Sequence, residues 1–226
     1  MFKAVIFDFD GVITDSEVLH LRAFNKSLEP FGVGLTTKEY YQNYLGFSDF
    51  DCYKTLIDNG LLKVGRERIG EIIKQKSAIF EELTKTEGRM IEGVHEFLVM
   101  LQDNGVPMAI CSGSLLVEIE LMLDEANLRH FFKTIVSAEQ VKKGKPDPEG
   151  FLLTLEKLND GCAVPINADQ CVVIEDSHWG LEAGNAAGMH TIAVTNSYDA
   201  GQLTMAEKVV ARLSDLSMDD LRQLCA

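Results

Sequence analysis

No apolar run in this chain of 226 residues approaches the roughly 20 residues that a membrane-crossing helix needs, so no membrane partner is expected. Cysteine is sparse and carries no metal or redox pattern. The five, Cys52, Cys111, Cys162, Cys171 and Cys225, are odd in number and include no C-x-x-C pair. That argues against a disulfide framework and against zinc, and leaves reduced thiols. Basic residues are scarce as well: 21 Lys and Arg face 35 Asp and Glu, a net charge of −14. With no Lys/Arg block or aromatic-basic stripe to overcome that field, nucleic acid is not an expected partner. The opening "MFKAVIFDFDG" lacks the long apolar segment and cleavage site of a secretory signal, which makes a cytoplasmic location the expectation. There is no internal repeat, no low-complexity tract and no G-x-S-x-G elbow for serine hydrolase chemistry. A small anionic substrate stays compatible with the acidic balance, because a local cation or metal reverses the field inside one cleft.

What is present is an ordinary globular composition, 46% hydrophobic and 25% charged, in a length that suits one core or a core with a smaller insert. Short β-branched runs recur at "KAVIFD" (3–8), "MAICS" (108–112), "TIVSA" (134–138), "CVVIE" (171–175) and "TIAVT" (191–195), separated by helix-period segments. This alternation predicts an α/β fold, a doubly wound, Rossmann-like and mostly parallel sheet. The near-continuous hydrophobicity of the runs predicts strands covered on both faces.

The stretch between the first two strands is far longer than a βαβ crossover of about 30 residues requires. Val18, Leu21, Phe24, Leu28 and Phe31 recur at helical spacing until Gly32 and Gly34. Ile69, Ile72, Ile73, Ile79, Phe80 and Leu83 form a second stripe. An inserted helical cap is therefore expected at 15–86, entered through "TDSE" and left through "LTKTEGRMIEG", with 1–14 and 87–226 as the core.

The notable polar residues follow strand ends: Asp8 and Asp10 after the first, Ser112 and Ser114 after "MAIC", Lys145 after "TIVSA", Glu175 and Asp176 after "CVVI". In a doubly wound sheet those ends share one crevice. Like charges about 4 Å apart repel by roughly 4 kcal/mol at an effective dielectric of 20, so carboxylates gathered there need a cation. Hard oxygen donors without a His or Cys cluster point to Mg²⁺, with Lys145 adding positive charge. Such a site suits phosphoryl transfer with an aspartate nucleophile. Residues two apart in an extended segment face one side, so Asp8 can attack phosphorus while Asp10, with a raised pKa, manages the leaving-group proton.

These motifs resemble the haloacid dehalogenase superfamily, in the branch of capped phosphatases related to beta-phosphoglucomutase, and the resemblance spans essentially the whole chain. "DFDGVITDSE" resembles the first motif, implying Asp8 as nucleophile and Asp10 as general acid/base. "ICSGS" resembles the second, with Ser112 and Gly113 at the phosphoryl group, and "KGKPDPEGF" the third, with Lys145. "VIEDSHWGLEAGNAAGM" resembles the fourth, implying Asp176 and Glu175 as Mg²⁺ ligands beside Asp8 and the Asp10 carbonyl. His20 matches a position near the hinge and the acid/base, and Gly46 a cap glycine that meets substrate.

The cap loop "YLGFSDFD" departs from the mutase pattern, carrying Leu45 and Asp49 where a lysine and an arginine would hold a second phosphate. Each charge-assisted hydrogen bond is worth about 1.5–3 kcal/mol, so a bisphosphate intermediate loses its anchors. The resemblance then implies hydrolysis of a small phosphorylated metabolite, a sugar phosphate or similar, by a monomer or weak homodimer. A sugar phosphomutase is the alternative; a receiver-like phospho-signalling domain would not need the insert, and a D-x-D transferase explains neither "KGKPDP" nor "VIEDS". Tyr40, Tyr44, Phe47 and Asp49 are the cap side chains expected to choose the substrate. Asp15 and Ser16 read as helix caps, Ser114 equally as a cap or a site residue, Lys142 and Lys143 as solvated, and His178 and Trp179 as packing or rim residues.

Overall fold

Each of the five β-branched runs forms a strand. In the computed structural model, which describes residues 1–226, these are β1 (Ala4–Phe7), β2 (Met108–Cys111), β3 (Phe132–Val136), β4 (Cys171–Glu175) and β5 (His190–Val194). A sixth, β6 (Lys208–Val210), follows. All pairings are parallel, in the order β3-β2-β1-β4-β5-β6, with Val5 opposite both Met108 and Val172. The chain's direction of winding reverses at β1 and β4, and a crevice opens at the carboxyl ends of strands at such a point.

Alternate residues of β1 feed opposite layers. Val5 and Phe7 join the larger apolar cluster, Ala4 and Ile6 the cluster on the other face. The first layer is completed by α5 (Val94–Asp103), α6 (Leu116–Glu125) and α9 (Met218–Leu224) through Leu98, Met122 and Leu221. The second is completed by α7 (Glu149–Asn159) and α8 (His178–Ala186) through Phe151 and Ala183. Coverage on both sides is why the strands read as unbroken apolar runs.

Between β1 and α5 lie four helices: α1 (Glu17–Leu28), α2 (Thr37–Asn43), α3 (Asp49–Asp58) and α4 (Ile69–Glu87). They have an apolar cluster of their own, including Leu28, Tyr40, Leu45, Tyr53, Leu56, Ile69 and Ile72. The two helical stripes of the sequence are not confined to it. Leu19 and Ala23 of α1, with Phe80 and Leu83 of α4, belong to the core cluster, so these helices are shared between the two bodies. Val18, expected on the apolar face, is 54% exposed. Of "LTKTEGRMIEG", the first five residues are helical, which leaves 88–93 as the linker.

The two crossings into the helical unit lie side by side. The Asp15 N–H donates to the Arg89 carbonyl at 2.9 Å, the Ile91 N–H to the Ile13 carbonyl at 3.0 Å, and the Thr14 hydroxyl to the Arg89 carbonyl at 3.0 Å.

Candidate active site

Asp8 extends the β1 ladder by one bond, its N–H donating to the Ile174 carbonyl at 2.9 Å, which sets its carboxyl at the sheet's reversal point. Lys145 Nζ donates to Asp8 Oδ1 at 2.5 Å and to Glu175 Oε1 at 2.6 Å. Glu175 Oε2 accepts from the Asp176 and Ser177 N–H groups and the Ser177 hydroxyl at 2.8–2.9 Å. Asp176 accepts from the Ser197 hydroxyl. Asp8, Glu175 and Asp176 are all buried, with ligand oxygens within 4.8 Å of one another. Burial raises the Asp8 carboxyl well above its usual range despite Lys145, and burial with Glu175 and Asp8 does the same to Asp176. Lys145 is held protonated by Asp8 and Glu175 against its own burial. Three buried carboxyl groups against one ammonium leave negative charge uncompensated, and an all-oxygen donor set fits a hard divalent cation such as Mg²⁺. The carboxylate of Asp10 is not one of the trio. Between them, Gly11 adopts φ +78°, and a Cβ there would overlap the Asp176 carboxylate.

Asp10 instead faces a set of donors. Oδ1 accepts from the Ser16 hydroxyl and meets His20 Nε2 at 3.1 Å. Oδ2 accepts from the Ser114 hydroxyl at 2.6 Å and the Ser112 hydroxyl at 3.4 Å. Burial pushes this carboxyl upward, but His20 and the hydroxyls of Ser114 and Ser16 outweigh it and hold it well below the ordinary carboxylate range. A raised value is what the protonated role of Asp10 calls for; in the free site the donors from the start of α1 and from the loop after β2 set it the other way. Two capping assignments change with it. Ser16 occupies the N-cap position of α1 but makes no cap bond, and neither does Leu115, the N-cap of α6, so Ser114 is free for Asp10. Asp15 is exposed and caps nothing.

Behind His20 lies a charge cluster. Lys76 is completely buried, and its ammonium sits 2.8 Å from His20 Nδ1, 3.0 Å from Asp49 Oδ1 and 3.4 Å from Glu118 Oε1. An ammonium has no lone pair, so His20 Nδ1 accepts, and the ring proton sits on Nε2, facing Asp10. Lys76 occupies the apolar face of α4 four residues after Ile72 and four before Phe80, both buried. A lysine at that spacing on an apolar stripe is the sign in the sequence of an interior partner.

A small cavity joins these groups. Asp8, Asp10, Glu17, His20, Tyr40, Phe47, Asp49, Gly46, Gly113, Ser114 and Lys145 are among its walls. Tyr44 and Leu45 are instead buried in the helical cluster. Ser112 lines the adjoining cleft of about 300 Å³, which shares Gly46, Gly113 and Lys145 with the cavity. Glu17, unremarked in sequence beyond the hinge motif, accepts from the Tyr40 hydroxyl at 2.9 Å, and burial lifts its carboxyl to about 7. Trp179 packs on Phe47 with ring centroids 5.8 Å apart, and His178 on Tyr198 at 4.5 Å. Both are contacts at the rim. Lys142 and Lys143 are exposed.

Comparison with known proteins agrees with this architecture. Residues 5–194 match the family of haloacid dehalogenase-like hydrolases. A phosphorylated carbohydrates phosphatase of Thermotoga maritima is 32% identical over 211 residues, 92% of this chain and 93% of its own length. The fructose-1-phosphate phosphatase of Escherichia coli is 27% identical over 198 residues, 85% of this chain and 96% of its own. Among solved structures, a beta-phosphoglucomutase of Clostridium difficile superimposes with a TM-score of 0.87 at 25% identity, covering 100% of this chain and 97% of that one. With the four motifs in order on this fold, the chain belongs to the haloacid dehalogenase-like hydrolase family, as an enzyme of its phosphatase branch.

Proposed function

We propose that the protein hydrolyses a small phosphomonoester, with Mg²⁺, through a phosphoryl group carried transiently on Asp8. The observation that carries this reading is the pairing of two differently treated aspartates in one cavity. Asp8 is clamped by Lys145 beside Glu175 and Asp176, while Asp10 is surrounded by proton-handling partners. The relatives named above, which act on phosphorylated carbohydrates and fructose 1-phosphate, support the substrate class.

An Asp8 oxygen forms the bond to phosphorus as the ester oxygen leaves, and that oxygen takes its proton from Asp10. The phosphoryl dianion beside Asp10 raises its proton affinity, which offsets the donors that lower it in the free enzyme. Asp10, then ionised, accepts a proton from water, whose oxygen displaces Asp8 and releases inorganic phosphate. Lys145 bonds the Asp8 carboxyl and Glu175 and so favours the ionised nucleophile and keeps it aimed, and the Ser112 side chain and Gly113 lie where the phosphoryl oxygens would rest. Bound between Asp8, Glu175 and Asp176, Mg²⁺ would neutralise charge that builds on those oxygens. The cavity encloses only about 30 Å³, so the helical unit must lift to admit substrate and lower again to exclude solvent.

Hydrolysis is favoured over mutase chemistry by what stands at the second-phosphate positions. Leu45 is buried, and Asp49 is an anion whose neighbouring cation, Lys76, is already shared with Glu118. The test is phosphate release from a panel of sugar phosphates with and without Mg²⁺, alongside Asp8→Asn. Mg²⁺-dependent release abolished by the substitution is the expected result. Conversion of beta-glucose 1-phosphate to its 6-phosphate with no release would overturn it.

A further inference from the structure

Three successive residues beyond the end of β5 hold three separate parts of the molecule. The Asn196 side chain donates to the carbonyl of Gly11, next to Asp10, at 2.7 Å. The Ser197 hydroxyl donates to Asp176 Oδ2. The Tyr198 hydroxyl reaches across to the helical unit and donates to the Tyr41 carbonyl at 2.8 Å.

That last bond fills a gap in α2. The Tyr44 and Leu45 N–H groups both donate to the Tyr40 carbonyl, which leaves that of Tyr41 without a backbone donor. The last carbonyls of a helix need partners from outside it, and Tyr198 supplies one. Its ring is backed by His178 at the start of α8, with centroids 4.5 Å apart. Tyr198 is also the one residue of the sheet body that packs against the apolar cluster of the helical unit. Lifting that unit breaks both contacts.

The bond from Ser197 acts on the metal side. Asp176 Oδ2 is held by Ser197 and lies against Gly11, which fixes the plane in which this carboxylate presents its lone pairs to a cation. Removing a partner that orients a metal ligand weakens metal binding by about 10–100-fold. Ser197 and Tyr198 share a peptide bond, so neither hydroxyl keeps its geometry if the other is displaced.

Building on the phosphatase reading above, we infer that Ser197 and Tyr198 are positioning residues that couple Mg²⁺ binding at Asp176 to the seating of the helical unit. A seated unit fixes Tyr198 and, through it, the Ser197 hydroxyl on Asp176. A metal-bound Asp176 fixes Ser197 and, through it, the latch on Tyr41. Such coupling is reciprocal: the factor by which seating tightens Mg²⁺ is the factor by which Mg²⁺ favours seating.

The test titrates Mg²⁺ alone into the full-length protein by calorimetry, where affinity is read separately from the fraction of folded molecules. Ser197→Ala should bind about 10–100-fold more weakly, and Ser197→Thr, which keeps a hydroxyl, within about threefold of the wild type. Tyr198→Phe removes a hydroxyl bonded to Tyr41 alone and should weaken Mg²⁺ about two- to tenfold, the worth of one hydrogen bond. That loss should vanish when Ser197→Ala is already present, since the path to Asp176 is then cut. Acrylamide quenching of Trp179, which Phe47 of the helical unit covers, should decrease on adding Mg²⁺ to the wild type and change less in Tyr198→Phe. A Mg²⁺ affinity untouched by Tyr198→Phe, or lowered equally with and without Ser197→Ala, would overturn the inference; Mg²⁺-dependent phosphate release by the wild type would then leave the phosphatase reading standing. Release from no sugar phosphate would overturn the phosphatase reading itself.

Discussion

Replacing Lys76 by Met separates the charge of this side chain from its bulk. The methionine keeps an apolar stem where the ammonium now lies 5.3 Å and 4.9 Å from the ring centroids of Phe24 and Phe80, so no large cavity opens. What disappears is the ammonium paired with both Asp49 and Glu118, each nine-tenths buried. Removing one partner of a buried ion pair costs about 3–5 kcal/mol, a large share of the 5–15 kcal/mol by which a domain is stable. With a urea m-value near 2–3 kcal/mol/M, the unfolding midpoint should fall by roughly 1–2 M. Fluorescence of Trp179, the sole tryptophan, reports it. The loss should also depend on pH. Glu118 is raised above its usual value by burial, with Lys76 opposing, so losing Lys76 raises it further. A carboxyl whose folded pKa exceeds its unfolded one contributes stability below the unfolded value and loses it as pH rises through the folded one. The deficit should therefore be larger at pH 8 than at pH 5, and Asp49→Asn with Glu118→Gln added should recover most of it. A midpoint shift below about 0.3 M, or an equal shift at both pH values, would refute the reasoning.

Other perturbations read other parts of the molecule. Gly180→Ala places a Cβ against the Glu175 carboxylate, which Ser177 and Lys145 hold in place; Mg²⁺ affinity, followed by titration calorimetry and activity, should drop about 10–100-fold. Phe7→Ala removes a fully buried ring packed edge-on to Phe97 and Phe132, each at 6.0 Å, and should cost about 3–5 kcal/mol in urea unfolding. Glu17 has a folded pKa of about 7, above its usual 4.5, so its contribution is present below pH 4.5 and lost as pH rises through 7. Glu17→Gln should thus stabilise the protein at pH 8, on the order of 1–3 kcal/mol, with little effect at pH 4; equal effects at both would contradict this.

Much of this was legible in sequence where one segment carried its own signal. Five strands announced themselves because burial on both faces demands continuous apolar runs; β6, three residues at the sheet edge with only Val210 buried, carried no such run. Asp8, Lys145, Glu175 and Asp176 were legible because strand ends converge in a doubly wound sheet. The partners of Asp10 were not. Its proton affinity is set by Ser16 and His20 on one side and Ser112 and Ser114 on the other, a sum over elements that no local pattern contains. Lys76 is the same case: its position on an apolar stripe is visible, but Asp49 and Glu118 reach it only through the fold.

The paired crossings at Thr14–Asp15 and Arg89–Ile91 tie the helical unit to the loop that carries Asp10. The Gly11 N–H donates to the Thr14 carbonyl at 2.8 Å, and two residues beyond Thr14 stands Ser16, bonded to Asp10. His20 belongs to α1 of the helical unit, while Ser112 and Ser114 follow β2 of the sheet, so the donors that hold Asp10 come from both bodies and meet only where the helices rest on the sheet. The proton affinity of Asp10 is therefore a property of the joint between the two bodies and not of either one.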